Sequence, residues 1–163
     1  MQLCFLVPPC YDNKQPAERS AGCTRIVYPM INIYELTAAA VVRDMGGHEV
    51  EYHDFVFEHK SIDDFKAFLQ ADSSEAYLIW AVNLSIDSDL QALADIRACH
   101  KDTPVIFMGP GATYFTQKCL IDKNVYVVRG EPEMTLLQLV DTLASGGDVA
   151  EIQGLSYLCD GKV

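Results

Sequence analysis

Short apolar runs alternate along the chain with longer segments of helical periodicity. The apolar runs span residues 3–7, 48–54, 76–82, 104–108 and 125–128. Runs 3–7 and 76–82 are continuously apolar, as expected for strands that are buried on both faces of a parallel sheet. Run 48–54 alternates apolar and polar positions, which indicates a strand near a sheet edge. The pattern therefore predicts five strands, with the second near an edge.

A helical segment follows each predicted strand. The second of these helices begins at Ser61, and the S-x-x-D spacing to Asp64 predicts a capping box. For the third helix, Asp87 or Ser88 is the expected N-cap. The other helices are predicted at 29–45, at 114–121 and from Pro132 to the Gly146–Gly147 pair.

The alternation of strand and helix predicts an α/β fold with a doubly wound parallel sheet. Right-handed crossovers and five strands favour the order 2-1-3-4-5, with helices on both faces and three layers, as in flavodoxin-like and Rossmann-like folds. In such sheets ligands bind at the carboxyl ends of the strands. This rule selects four loops as candidate ligand-binding segments, at 8–28, 83–88, 109–114 and 129–135.

The last residues depart from this alternation. Residues 155–158 have strand character, and Asp160 and Gly161 after them predict a tight turn. We interpret 1–148 as one ligand-binding domain and 149–163 as an exit segment, the first half of a hairpin. Because half a hairpin cannot bury itself, we expect the chain to be part of a longer protein that continues into another domain.

The charge balance narrows the classes of partner. The 163 residues include 23 acidic and 12 basic side chains, for a net charge of −11. Nucleic acid and anionic membrane surfaces require clustered Lys and Arg, so neither is an expected partner. No apolar run is long enough to span a bilayer, and the start of the chain lacks the basic segment of a secretory signal, so we expect a cytoplasmic protein.

The residues that usually ligate metals or act as nucleophiles are scattered. No two of the six cysteines form a C-x-x-C pair, so neither a zinc nor an iron–sulfur site is expected within this chain. We expect no catalytic residue and no metal ligand at the predicted edge, because the four loops contain no histidine. The histidines are His48, His53, His59 and His100.

Two of the loops carry glycines where a ligand could approach the main chain. Gly109 and Gly111 follow the fourth strand, and Gly130 lies between two charged residues after the fifth. The chain has neither a phosphate-binding G-x-x-x-x-G-K-[ST] motif nor a dinucleotide motif after the first strand. The hydroxyl of Ser85 could cap a helix or bind a ligand, and capping is the commoner use.

Taken in order, several motifs resemble those of the B12-binding domains that precede radical S-adenosylmethionine enzymes. The resemblance covers nearly the whole chain. Members of this family include the anaerobic magnesium-protoporphyrin IX monomethyl ester oxidative cyclases and several methyltransferases. The matching motifs are the Pro8–Pro9 strand end, GHEV at 47–50, the GPGA turn at 109–112, VRGEPEMTL at 128–136 and the I-x-GLSY exit at 152–157.

Two departures from the family pattern affect what the resemblance implies. Pro110 separates two glycines that are adjacent in the family. The first loop also lacks the D-x-H-x-x-G motif of methionine-synthase-like domains, whose histidine ligates cobalt; it has Asp12, Asn13 and Lys14 instead. Since a protonated lysine has no lone pair, cobalamin would bind here without a histidine lower ligand.

The resemblance implies a cobalamin-binding module of a radical enzyme, of the tetrapyrrole cyclase or the methyltransferase type. The 4Fe–4S cluster and S-adenosylmethionine would belong to a following radical domain in the same protein, and this chain alone would be inactive. A second hypothesis is a cofactor-free docking or substrate-gating module. The expected cofactor-binding residues are Pro8, Pro9, Ser85, Gly109, Pro110, Gly111, Arg129, Gly130 and Glu131.

Overall fold

One mixed sheet forms the centre of the protein, in a computed structural model that describes residues 1–11, 31–159, 161 and 163. The strands are β1 (Gln2–Val7), β2 (Glu49–Asp54), β3 (Ala76–Trp80), β4 (Val105–Met108), β5 (Val125–Val128) and β6 (Leu155–Tyr157). The strand order is β2-β1-β3-β4-β5-β6, and the first five of these strands are parallel. The predicted doubly wound α/β fold, the 2-1-3-4-5 order and the edge position of β2 are confirmed.

The sixth strand corrects the predicted strand count. β6 pairs antiparallel with β5 and places Leu155 opposite Val128. The main-chain N–H of Arg129 donates to the carbonyl of Gly154 at 2.9 Å, and Leu155 is buried. The predicted exit segment therefore contributes a strand to the sheet, because the outer edge of β5 would otherwise be unpaired. Asp160, in the predicted hairpin turn, lies outside the described residues.

The helices differ from prediction at two starting points. The third helix begins one residue before Asp87, so neither Asp87 nor Ser88 is its cap. In place of one helix at 114–121, two short helices follow β4, and the first begins directly at Pro110. The first-helix residues Pro29 and Met30 lie outside the described part of the chain. The helices are α1 (Ile33–Asp44), α2 (Ile62–Ala71), α3 (Ile86–Cys99), α4 (Pro110–Tyr114), α5 (Thr116–Cys119) and α6 (Glu133–Ser145).

The two faces of the sheet are covered by different helices. On one face α1 and α6 pack through Ala38, Val42 and Leu139. On the other face α2, α3 and α5 pack against the alternate side chains of the same strands. Each central strand is therefore buried on both sides, which explains the continuous apolar runs. Within the described residues, no helix has the length and apolarity needed to cross a bilayer.

Ser61 forms the predicted capping box at the start of α2. Its hydroxyl accepts from the N–H of Asp64 at 3.1 Å, and the Asp64 carboxylate accepts from the N–H of Ser61 at 2.8 Å. Replacing Ser61 with alanine is expected to lower the free energy of unfolding by about 1 kcal/mol, the usual cost of a lost N-cap. Chemical denaturation measures this, with Ser73→Ala, an exposed serine after α2, as control. Equal effects of the two substitutions would contradict the capping role.

Candidate functional site

A cavity of about 480 Å³ opens at the carboxyl ends of the strands, on the face covered by α1 and α6. The turns after β4 and β5, the last residue of β3 and the first turn of α1 enclose it. We call this space the edge cavity. Its lining residues are Tyr34, Trp80, Gly109, Pro110, Thr113, Tyr114, Gly130 and Glu131.

Two aromatic rings form one wall of the edge cavity. Trp80 ends β3 and is 6% exposed. The ring of Tyr34 stacks on it, with centroids 5.9 Å apart and planes inclined by 17°. Asn32 sets the position of Tyr34, because its side-chain oxygen caps α1 by accepting from the N–H groups of Tyr34 at 3.1 Å and Glu35 at 3.4 Å. The result is an aromatic wall in which Tyr34, 41% exposed, covers the ring of Trp80.

The turn after β4 lies directly against the end of β3. Gly109 has φ +92°, and a Cβ at this position would fall 2.8 Å from the Trp80 ring and 2.9 Å from the carbonyl oxygen of Ala81. At Gly111, a Cβ would fall 2.5 Å from the carbonyl carbon of Val82. The N–H of Gly111 donates to the carbonyl of Ala81 at 2.9 Å. Both glycines are therefore required for the close approach of these two main-chain segments.

The turn after β5 forms the opposite wall. Gly130 has φ +78°, and a Cβ there would meet no atom within 4 Å. Its N–H donates to the hydroxyl oxygen of Thr113 at 3.1 Å, which joins this turn to α4. Glu131 follows with an exposed carboxylate, so the cavity combines aromatic faces, main chain and one acidic side chain at its rim.

Four of the nine predicted site residues line the edge cavity together: Gly109, Pro110, Gly130 and Glu131. Gly111 lies beneath it against Val82. The structure places the remaining four, Pro8, Pro9, Ser85 and Arg129, outside its lining.

Ser85 occupies the N-cap position of α3 but forms no capping hydrogen bond. Its hydroxyl is buried, accepts from the N–H of Val82 at 3.1 Å and donates to the carboxylate of Asp89 at 2.6 Å. These contacts fold the end of the β3 segment onto α3. Ser85 therefore holds the backbone beneath the edge and does not cap α3, and its contact with a ligand stays a prediction.

Pro8 and Pro9 are buried at the end of β1. The carbonyl of Pro9 accepts from the Ser88 hydroxyl at 3.3 Å, and the same hydroxyl accepts from the N–H of Tyr11 at 3.0 Å. This end of β1 is thereby fixed to α3. Arg129 is exposed and lines a second cavity of about 410 Å³ along β6, whose other lining residues are Leu155, Ser156, Tyr157, Cys159 and Val163.

Four of the lining residues were not named individually as site residues from the sequence: Thr113 and Tyr114 lie within the selected loop 109–114, whereas Tyr34 and Trp80 lie outside all four selected loops. The position of Trp80 at the carboxyl end of a buried strand was an available signal, since the last residue of such a strand adjoins the ligand-binding edge. Tyr34 gave no comparable signal, because it reaches the edge only through the packing of α1 on the sheet.

The histidines lie apart from the edge cavity. His48 contacts Asp141 at 2.8 Å, His100 contacts the carbonyl of Leu69 at 2.7 Å, and His53 contacts Glu51 at 3.2 Å. His59 lies in the turn after β2, on the carboxyl side of the sheet but at its outermost strand. No histidine is among the residues that line the cavity.

Cys4 and Cys119, the buried cysteines among the described residues, are protected from ionisation. Burial raises the pKa of the Cys119 thiol to about 12 and also raises the pKa of Cys4. Both stay protonated at neutral pH, and a protonated thiol is a poor nucleophile and a poor metal ligand. In the described part of the chain, no group of three or more His, Cys, Asp or Glu side chains could hold a metal ion.

No protein-family model matches the chain. Among curated proteins, the chain is similar to the uncharacterized methyltransferase PH0819 of Pyrococcus horikoshii, with 26% identity over 165 residues. The match covers 100% of this chain and 34% of that protein, so the chain spans about a third of its relative's length.

Two solved structures share the fold. The chain matches TsrM from Kitasatospora setae, a radical S-adenosylmethionine methyltransferase solved with tryptophan substrate and a SAM analogue, with a TM-score of 0.65 and 20% identity over 95% of this chain and 28% of TsrM. It matches OxsB, a cobalamin-dependent S-adenosylmethionine radical enzyme solved with aqua-cobalamin and S-adenosylmethionine, with a TM-score of 0.76 and 15% identity over 100% of this chain and 21% of OxsB. The chain has the fold of one part of each larger enzyme.

Proposed function

We propose that this chain is a cobalamin-binding module that holds a corrinoid for a larger radical S-adenosylmethionine enzyme. The observation that carries the proposal is the edge cavity, with its stacked aromatic wall and its glycine turns at the carboxyl ends of the strands. The shared fold with OxsB, which was solved with aqua-cobalamin, supports the same ligand.

The size of the edge cavity suits one part of cobalamin. Its volume of about 480 Å³ is within the usual range for small-molecule pockets, but a whole corrinoid is too large to enter it. The flat benzimidazole of the nucleotide tail fits beside the rings of Tyr34 and Trp80. The corrin would then lie outside, over the exposed rim formed by Pro110 and Tyr114.

The protein residues supply binding and orientation. Main chain at Gly109 and Gly130 bounds the space for the tail, and the aromatic wall orients it by stacking. We propose that no histidine of this chain ligates the cobalt, since neither the cavity lining nor the four loops at 8–28, 83–88, 109–114 and 129–135 contain a histidine. When bound, the corrinoid supplies cobalt-based group transfer, chemistry that belongs to the cofactor and not to the side chains.

For the whole protein we propose methyl transfer. Both PH0819 and TsrM are described as methyltransferases, which favours this reaction over the oxidative cyclase reaction that the sequence resemblance also allowed. The 4Fe–4S cluster and S-adenosylmethionine would bind in a radical domain that follows this module in the same protein. The chain covers less than a third of TsrM and OxsB, so most of each of those enzymes lies outside the matched part.

Titration of hydroxocobalamin into the chain, followed by its visible spectrum, tests the proposal. We expect Gly130→Trp to weaken binding by about tenfold or more, because the indole would occupy the cavity mouth. Gly47→Trp is the matched control: Gly47 also has a positive φ of +68° and open space around its Cβ position, but it lies before β2, at the opposite end of the sheet.

A second ligand tests the assignment of the nucleotide tail. Cobinamide has the corrin but lacks the tail, so we expect it to bind more weakly than hydroxocobalamin and to be insensitive to Gly130→Trp. Equal binding of hydroxocobalamin by both tryptophan variants would place the ligand elsewhere. No binding by the wild-type chain or its full-length parent would favour the docking or gating module. A spectrum of histidine-ligated cobalt would refute the ligation claim.

A further inference from the structure

The two walls of the edge cavity belong to turns that are far apart in sequence. One wall comes from Gly109 and α4, and the other comes from Gly130 and Glu131 after β5. A hydrogen bond joins them, from the N–H of Gly130 to the hydroxyl oxygen of Thr113 at 3.1 Å. This contact spans the site itself, since both residues line the cavity.

Within the described residues, Gly130 forms no other hydrogen bond. It is exposed, its φ of +78° is in the left-handed region, and open space surrounds its Cβ position. The residue before it is anchored away from the cavity, by the bond from the N–H of Arg129 to the carbonyl of Gly154 on the β6 side. A glycine turn with so little packing has many accessible conformations, so a single hydrogen bond has a large influence on its position.

We propose that Thr113 is a positioning residue of the edge cavity. Its hydroxyl oxygen accepts a hydrogen bond from the Gly130 N–H. This bond fixes the distance between the two turns and therefore the width of the space that receives the ligand. The same hydroxyl retains its own proton, which it can donate to a polar atom of the ligand. This inference rests on the proposed cobalamin-binding function and adds the residue that shapes its binding space.

A neighbouring threonine provides a control. Thr116 is on the adjacent helix α5, and its hydroxyl donates to the carbonyls of Ala112 and Thr113 at 3.0 Å each. These bonds stay within the α4–α5 segment and do not cross the cavity. Replacing threonine with valine preserves shape and β-branching at both positions and removes only the hydroxyl.

The experiment compares Thr113→Val, Thr113→Ser and Thr116→Val by two measurements. The first is the hydrogen-exchange rate of the Gly130 amide in the ligand-free chain, read by NMR. The second is the affinity for hydroxocobalamin, read by its visible spectrum. We expect Thr113→Val to accelerate Gly130 exchange and to weaken binding by about three- to tenfold, the range for one hydrogen bond. Thr113→Ser should restore both values, and Thr116→Val should leave both at the wild-type level.

The outcomes separate this inference from the proposed function. If the wild-type chain binds hydroxocobalamin and Thr113→Val binds it equally well, the positioning role is wrong and the proposed function stands. Unchanged Gly130 exchange in Thr113→Val would also overturn the role, because the bond would then not hold the turn. If the wild-type chain does not bind hydroxocobalamin, both proposals fail together.

Discussion

Replacing Trp80 with alanine is expected to lower the free energy of unfolding by about 3–5 kcal/mol, the largest effect of any substitution considered for this chain. The side chain is 6% exposed, it packs on the α1 and α6 face, and it supports both Tyr34 and the Gly109 turn. Its removal deletes this packing and leaves a void that the rigid end of β3 cannot close.

Urea denaturation followed by far-ultraviolet circular dichroism measures this loss. Trp80→Phe is the control, since it retains an aromatic ring for Tyr34 to stack on, and we expect it to recover more than half of the lost stability. A loss below about 1 kcal/mol in the alanine variant would mean that the end of β3 is loosely packed, contrary to the burial of Trp80.

The second large effect is expected at Gly111. Alanine there would place a methyl group 2.5 Å from the carbonyl carbon and 2.7 Å from the carbonyl oxygen of Val82, and neither main-chain atom can move without displacing the end of the β3 segment. We expect a loss of about 2–3 kcal/mol in the free energy of unfolding, at the upper end for overpacking. The same denaturation experiment measures it.

Gly47→Ala separates this steric clash from backbone strain. Gly47 has a φ of +68° but no atom within 4 Å of its Cβ position, so its alanine variant carries only the conformational cost of a left-handed residue, about 1–2 kcal/mol. Gly111 has no such positive φ, and its loss should come from contact alone. If Gly47→Ala were the more damaging substitution, the close approach of the β4 turn to Val82 would not be a constraint on the fold.

The sheet was predictable because a strand that is buried on both faces is apolar at successive positions of the sequence. Residues 3–7 and 76–82 are apolar throughout, and β1 and β3 lie in the interior of the sheet. β6 was not recognised as part of the sheet because its partner, the free edge of β5, is a property of the assembled fold. The start of α3 was also missed, because the hydroxyl of Ser85 turns towards Val82 and Asp89 and does not cap the helix.

Only part of the candidate site could be predicted from the sequence. The glycine turns at 109 and 130 follow strands and are visible as sequence motifs, and the structure places both in the edge cavity. The aromatic wall depends on which face of β3 Trp80 occupies and on the docking of α1, and neither follows from local periodicity. Arg129 shows the same limit, since it directly precedes Gly130 yet lines the other cavity along β6.

The placement of Trp80 also gives the chain a built-in optical reporter. The sequence contains one tryptophan and eight tyrosines, and that tryptophan forms a wall of the edge cavity. Selective excitation of the indole therefore yields emission from a single known position beside the candidate site. A coloured corrinoid bound at the edge cavity would quench that emission by energy transfer, and a colourless ligand would shift its wavelength by altering the local polarity. Libraries of small molecules can thus be screened against the unlabelled protein.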